Sequence, residues 1–201
     1  MKSASRKSRL SGALSAGQRE EFARLMLVEV LEVLRGARLL RSSFVVSPDR
    51  TMLDLAARAG SRTVPEPGDM GVNSAVRTAL KAVRDGTDVL VIPADLPLLK
   101  ASDLAHLLRI RSQGADAVIA PSLGFDGTNA LLFGRASDFP LSYDDHSFWN
   151  HIAGAASAGL KVGVCTEAGL TFDVDSPDDF RALARSSADV PPARFARRVL
   201  G

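Results

Sequence analysis

Three of the five aspartates in two short stretches, ADLPLL at residues 94–99 and FDVDSPDD at 172–179, carry the clearest chemical signal in the chain. Asp95 directly follows DVLVIP at 88–93, an apolar run that reads as a strand. It therefore falls at a strand's carboxyl end, where open α/β sheets bind ligands. From position alone Asp95 could equally cap the helix expected to start near Ser102. Asp173 and Asp175 occupy alternate positions of an extended segment and so share one face. Carboxylates converging from two segments make a hard oxygen site for Mg²⁺, which keeps several waters and bridges to substrate phosphates. Asp178 and Asp179 follow Pro177 at the start of a helix and read as first-turn residues, not as ligands.

Other stretches are open to more than one chemistry. GFDGTNALL at 124–132 sets two glycines and the pair Thr128, Asn129 ahead of a strand, which suits either an anion-binding loop or a plain turn. In GDMGVNSAV at 68–76, Asn73 could cap a helix or read a base edge through its amide. RKSRLS at 6–11 is too short to fold alone, and could be a tail, an address label or an anion-binding loop. His106, His146 and His151 lack zinc-ligand spacing. With no Walker-A loop and no dinucleotide fingerprint, any nucleotide must be held by other means.

The elements that would position these residues alternate in type. Ser15 and Gln18 have capping-box spacing, and Phe22, Leu25, Met26, Val30, Val33 and Leu34 then recur at helical intervals as far as Gly36. FVVS at 44–47 reads as a strand, 50–59 as a helix closed by Gly60, 62–67 as a strand stopped by prolines, and 72–84 as a helix. The strand at 88–93, a helix over 104–110 and a strand at 116–121 follow. Alternation at these lengths predicts parallel crossovers and an α/β three-layer sandwich. Beyond it come a strand at 129–133, a helix at 147–159, the run KVGVCT at 161–166 and a helix near 177–185. From Ser186 the chain is rich in Ala, Pro and Arg, and is expected to pack loosely or extend to a partner.

Composition narrows the classes. A chain of 201 residues, 46% hydrophobic, can bury one sizeable core, so a single domain over 1–201 is expected. The 25 basic and 23 acidic residues leave a net charge of only +2, without the basic stripe of a nucleic-acid binder. Cys165 is the sole cysteine, which rules out an internal disulfide and suits a reducing compartment. No apolar run is long enough to cross a bilayer and residues 1–15 lack a signal-peptide core, so a cytoplasmic protein is expected.

Taken in order, KSRLS before a helix, GVN opening another, ADLPLL after a strand, GTNALL, SFWNH and FDVDSPDD resemble the 2-phospho-L-lactate guanylyltransferases, relatives of the nucleotide-sugar pyrophosphorylases, along nearly the whole chain. ADLP is common to many nucleotidyltransferases, whereas GTNALL, Ser-Phe-x-x-His and Asp-x-Asp-x-Pro in that order are more specific. The resemblance implies transfer of GMP from GTP to the phosphate of a small phospho-acid, 2-phospho-L-lactate or phosphoenolpyruvate, with release of pyrophosphate, in the synthesis of coenzyme F-420. It further implies a nucleotide-diphospho-sugar transferase-like fold with a mostly parallel sheet, and a homodimer. Lys2, Lys7 and Arg9 would hold the triphosphate, Lys7, Arg9 and Asp95 serving catalysis. Gly71 and Asn73 would contact the nucleoside, Asp95 with Asp173 or Asp175 would hold Mg²⁺, and Thr128, Asn129 and Ser147 would grip the phospho-acid. No protein nucleophile is required, because positioning and charge neutralisation drive phosphoryl transfer.

Two departures from the family pattern bear on these expectations. A family strand that ends at the lysine matched by Lys2 would precede the start of this chain, so either residues are missing there or the sheet lacks that strand. In YDDHSF at 143–148, where relatives often carry glycine, Asp144 and Asp145 would repel an anionic substrate unless they point away. Competing readings are transfer to a sugar phosphate or a molybdopterin, and a catalytically inactive nucleotide-binding relative.

Overall fold

Ser15 opens the longest helix through the reciprocal pair its spacing predicts: Gln18 N–H donates to Ser15 Oγ at 3.3 Å, and Ser15 N–H donates to Gln18 Oε1 at 2.8 Å. The computed structural model describes residues 9–84, 86–134 and 139–201. Lys2, Lys7 and the expectation of a missing first strand fall on residues outside these. In chain order the helices are α1 (Ala16–Gly36), α2 (Arg50–Arg58), α3 (Val72–Leu80), α4 (Ala101–Ser112), α5 (Ser147–Ser157), α6 (Ala168–Thr171), α7 (Pro177–Arg185) and α8 (Pro191–Leu200). The strands are β1 (Phe44–Ser47), β2 (Arg62–Pro65), β3 (Asp88–Val91), β4 (Ala117–Pro121), β5 (Thr128–Gly134) and β6 (Val162–Val164). None of the described helices is long and apolar enough to cross a membrane. Two compact units are distinguishable, one of Met1–Gly71, Ala94–Leu98 and Asp173–Gly201, the other of Val72–Pro93 and Leu99–Phe172.

In the first unit, β1 and β2 pair in parallel through the crossover helix α2, whose first turn is capped by Asp49 Oδ1 accepting from Thr51 N at 2.8 Å. Helix α1 buries Phe22, Met26, Leu27, Val30, Leu31 and Leu34, while Leu25 and Val33 are only half-buried. Its inward stripe is thus rotated slightly from the expected one. Pro177 starts α7 with Asp178 and Asp179 in its first turn, as expected, and Asp179 also completes a capping box with Ser176. The C-terminal segment departs from expectation. Where the sequence predicts a loose or partner-reaching tail, residues 191–200 form α8, which buries Phe195 and Ala196. The reason is aromatic: Phe195 stacks on Phe22 at 5.6 Å between centroids, and Phe180 meets Phe22 edge-on at 5.1 Å.

The second unit holds a four-stranded sheet in the order β3-β5-β4-β6. β4 and β6 are parallel, and β5 runs antiparallel to both of its neighbours, so three of the four strands share one direction. Only residues 122–127 separate β4 from β5. That is too short for a crossover helix, and an antiparallel pair is the only connection it allows. β4 is buried along its whole length. On one face Ala117, Ile119, Leu131 and Phe133 pack with Phe148 and Ala155 of α5. On the other, Gly163 of β6 lies so close to Ile110 of α4 that a Cβ there would come within 2.3 Å of Ile110 Cγ2, next to Val118. Helix, sheet and helix therefore form three layers within this unit.

Candidate active site

Asp95 and the Asp173–Asp175 segment meet in the first unit. Val174 N–H donates to Asp95 O at 3.1 Å, which fixes the two backbones side by side. Asp95 and Asp175 line a cavity of about 120 Å³ together with Arg19, Phe22 and Met26. Arg9 lies beside it, its Nη1 3.4 Å from Asp175 Oδ2. The Asp175 backbone is fixed from behind, because the Asp179 carboxylate accepts from Asp175 N at 3.2 Å and from Ser176 N at 2.8 Å. The first turn of α4 is closed by Asp103, whose Oδ2 accepts from Lys100 N at 2.9 Å.

Among the described residues no group of three or more His, Cys, Asp or Glu side chains could hold a metal ion. Such a cage is what Mg²⁺ does without: it binds through one or two carboxylates and completes its shell with water and substrate phosphate oxygens. Asp95 and Asp175 on one cavity match that donor set.

The polar groups of the second unit centre on the starts of β5 and α5. Thr128 N–H donates to Ser147 Oγ at 2.9 Å, and Thr128 Oγ1 lies 2.9 Å from His151 Nδ1. Ser147 and His151 are one helical turn apart, so α5 presents both on one face. His151 is fully buried, and its Nε2 accepts from Ser142 N at 3.0 Å. Burial pushes its pKa down to about 4, against a smaller upward pull from the Asp144 carboxylate. Tyr143 packs edge-on against the imidazole at 4.8 Å, and burial also raises the pKa of its phenol.

Several expected ligand residues also make contacts within the protein. Asn129 Nδ2 donates to Thr171 O at 3.2 Å, tying β5 to α6. Asn73 lies inside the first turn of α3, not ahead of it as a cap. Its Oδ1 accepts from Tyr143 N at 2.8 Å and its Nδ2 faces both oxygens of Asp144 at 3.3 Å. Asp144 also accepts from Ser142 Oγ at 3.2 Å, so its charge is engaged by neighbouring donors. Asp145 is exposed, and its carbonyl accepts from Asn150 Nδ2 at 2.8 Å. Gly71 has φ +81°, a conformation that suits glycine, and its N–H donates to Asp69 Oδ1 at 3.2 Å. In the sequence His151 lacks zinc-ligand spacing, and what marks it is the i, i+4 relation to Ser147 within the Ser-Phe-x-x-His motif.

The family profile described as "Guanylyl transferase CofC like" matches residues 1–198. The chain belongs to this guanylyl transferase family. It is 38% identical to the phosphoenolpyruvate guanylyltransferase of Rubrobacter xylanophilus, covering 90% of this chain and 88% of that protein. To the 2-phospho-L-lactate guanylyltransferase of Methanothermobacter thermautotrophicus it is 36% identical, over 96% and 85%. To the 3-phospho-D-glycerate guanylyltransferase of Phenylobacterium zucineum the figures are 33%, 89% and 84%. Among solved structures, a Desulfovibrio desulfuricans protein assigned to the nucleotide-diphospho-sugar transferases superposes with a TM-score of 0.73 at 18% identity, over 96% of this chain and 87% of that one. A 4-diphosphocytidyl-2C-methyl-D-erythritol synthase gives 0.61 at 15% identity, over 88% and 90%. The fold is thus the nucleotide-diphospho-sugar transferase-like α/β fold, and the chain is a nucleotidyltransferase.

Proposed function

We propose that this chain transfers GMP from GTP to the phosphate of a three-carbon phospho-acid, releasing pyrophosphate, as a step in making coenzyme F-420. The reading is carried by the convergence of Asp95 and Asp175 on one cavity beside Arg9, in a member of the guanylyl transferase family. An oxygen of the acceptor phosphate forms the new bond to the α-phosphorus of GTP, and the bond from that phosphorus to the bridging oxygen of pyrophosphate breaks. Mg²⁺ held by Asp95 with Asp173 or Asp175 would neutralise charge on the phosphates. Arg9 adds a fixed cation, and Thr128 and Ser147 supply neutral donors to the phospho-acid. The protein acts as a cytoplasmic homodimer in this reading. The test is pyrophosphate release with GTP, Mg²⁺ and, in turn, phospholactate, phosphoenolpyruvate and 3-phosphoglycerate. Release that requires one of these acids and fails with ATP supports the reading; equal release with ATP, or none with any acid, overturns it.

A further inference from the structure

Among the described residues, His151 is a fully buried ionisable side chain that touches both a predicted acceptor-binding residue and the loop before α5. Its proton can be placed from its partners alone. A backbone N–H can only donate, so the bond from Ser142 N makes Nε2 an acceptor, without a hydrogen. The hydrogen of the neutral ring is then on Nδ1, and Nδ1–H donates to Thr128 Oγ1. Ser147 Oγ is held in the same sense, accepting from Thr128 N–H. Both hydroxyls accept one bond from the scaffold, and among the described residues neither has an acceptor for its own hydrogen. Two buried hydroxyls held in this way are a pair of donors ready for an anionic oxygen.

We propose that His151 is a positioning residue for the acceptor: as the Nδ1–H tautomer, it holds the Thr128 hydroxyl so that its hydrogen is presented to an oxygen of the phospho-acid. The opposite tautomer would set Nδ1 as an acceptor and draw the Thr128 hydrogen to itself, leaving the substrate oxygen facing a lone pair. The main-chain N–H of Ser142 forbids that state. An imidazolium is likewise excluded while that bond persists, so the orientation is fixed across the neutral pH range. The inference rests on the proposed reaction for the identity of the acceptor, but the tautomer is a property of the protein itself.

The experiment has two arms on the full chain. Nitrogen-15 NMR of the parent should show Nδ1 protonated and Nε2 unprotonated; the reverse assignment overturns the proposal whatever the turnover. In the second arm, His151→Asn keeps a donor near the Nδ1 position, whereas His151→Gln reaches toward the Nε2 position and removes it. His151→Gln should raise KM for the phospho-acid on the order of tenfold with KM for GTP little changed, and His151→Asn should recover most of that loss. In a Thr128→Val background the two variants should no longer differ. A merely structural histidine would raise both KM values or lower kcat alike in the two variants, and a difference that survives in Thr128→Val would also overturn the proposal. If the parent shows no turnover, the proposed reaction fails, while the NMR arm still decides the tautomer.

Discussion

An aspartate after a strand can be a ligand or a cap, and removing its charge tells the two apart. Asp95 lines the cavity it shares with Asp175. Asp95→Asn keeps the shape and removes the charge, so turnover should fall by on the order of a hundredfold or more with the melting temperature nearly unchanged. Unchanged turnover in a steady-state assay would remove Asp95 from the site. His151 makes a second prediction, on stability. Its pKa is about 4 in the folded chain, against about 6.5 when unfolded, so between these values the unfolded state binds more protons. The associated stability is fully present above about pH 6.5 and declines as pH falls toward 4, by roughly 3 kcal/mol in all. Denaturant unfolding at pH 5 and pH 7.5 should show about 2 kcal/mol of this loss in the parent and less of it in His151→Gln. The aspartates and hydroxyls of both clusters were legible in the sequence. The contacts that Asn73 and Asn129 make within the protein were not, because their partners lie far along the chain, at Tyr143 and Asp144 for one and at Thr171 for the other.

At the scale of elements, local signals were legible where their cause was local. The capping boxes at Ser15 and Ser176, the buried run of β4 and the crossover between β1 and β2 all follow from short-range pattern. The direction of β5 is a property of the short connection before it. The approach of α4 to β6 is not local either, and it depends on one missing side chain. Gly163→Ala would force its Cβ against Ile110 Cγ2, costing about 1–3 kcal/mol of stability. Cutting Ile110 back to Ala should cost stability alone, yet make the added methyl at 163 less harmful, so the double mutant should be more stable than the sum of the single effects implies. Strict additivity in urea melts would show that the sheet relaxes around the methyl instead.

At the scale of the whole molecule, the first unit is assembled from three separated pieces of chain, and the last of these ends in the helix that composition alone presented as a tail. A stretch rich in Ala, Pro and Arg carries a single phenylalanine, and that one ring is enough when the rest of an aromatic cluster already exists. Phe22 stacks on Phe195 and also lines the cavity that holds Asp95 and Asp175. Deleting residues 187–201 should therefore act on both stability and site. Replacing a buried phenylalanine by alanine ordinarily costs about 3–5 kcal/mol, a large share of the roughly 5–15 kcal/mol that keeps a domain folded. The truncated chain should melt far below the parent, and any fraction still folded should bind GTP more weakly, because Phe22 loses its support. Arg198→Ala serves as the control. Its exposed pair with Glu21, at 3.0 Å, and its guanidinium over the Phe195 ring, 5.2 Å from the centroid, should together contribute only about 1–2 kcal/mol, so that variant should lose far less stability and GTP affinity than the truncated chain. A truncated chain with the parent's melting temperature and GTP affinity would mean that the aromatic contact adds nothing, and that residues 187–201 are the dispensable tail their composition suggests.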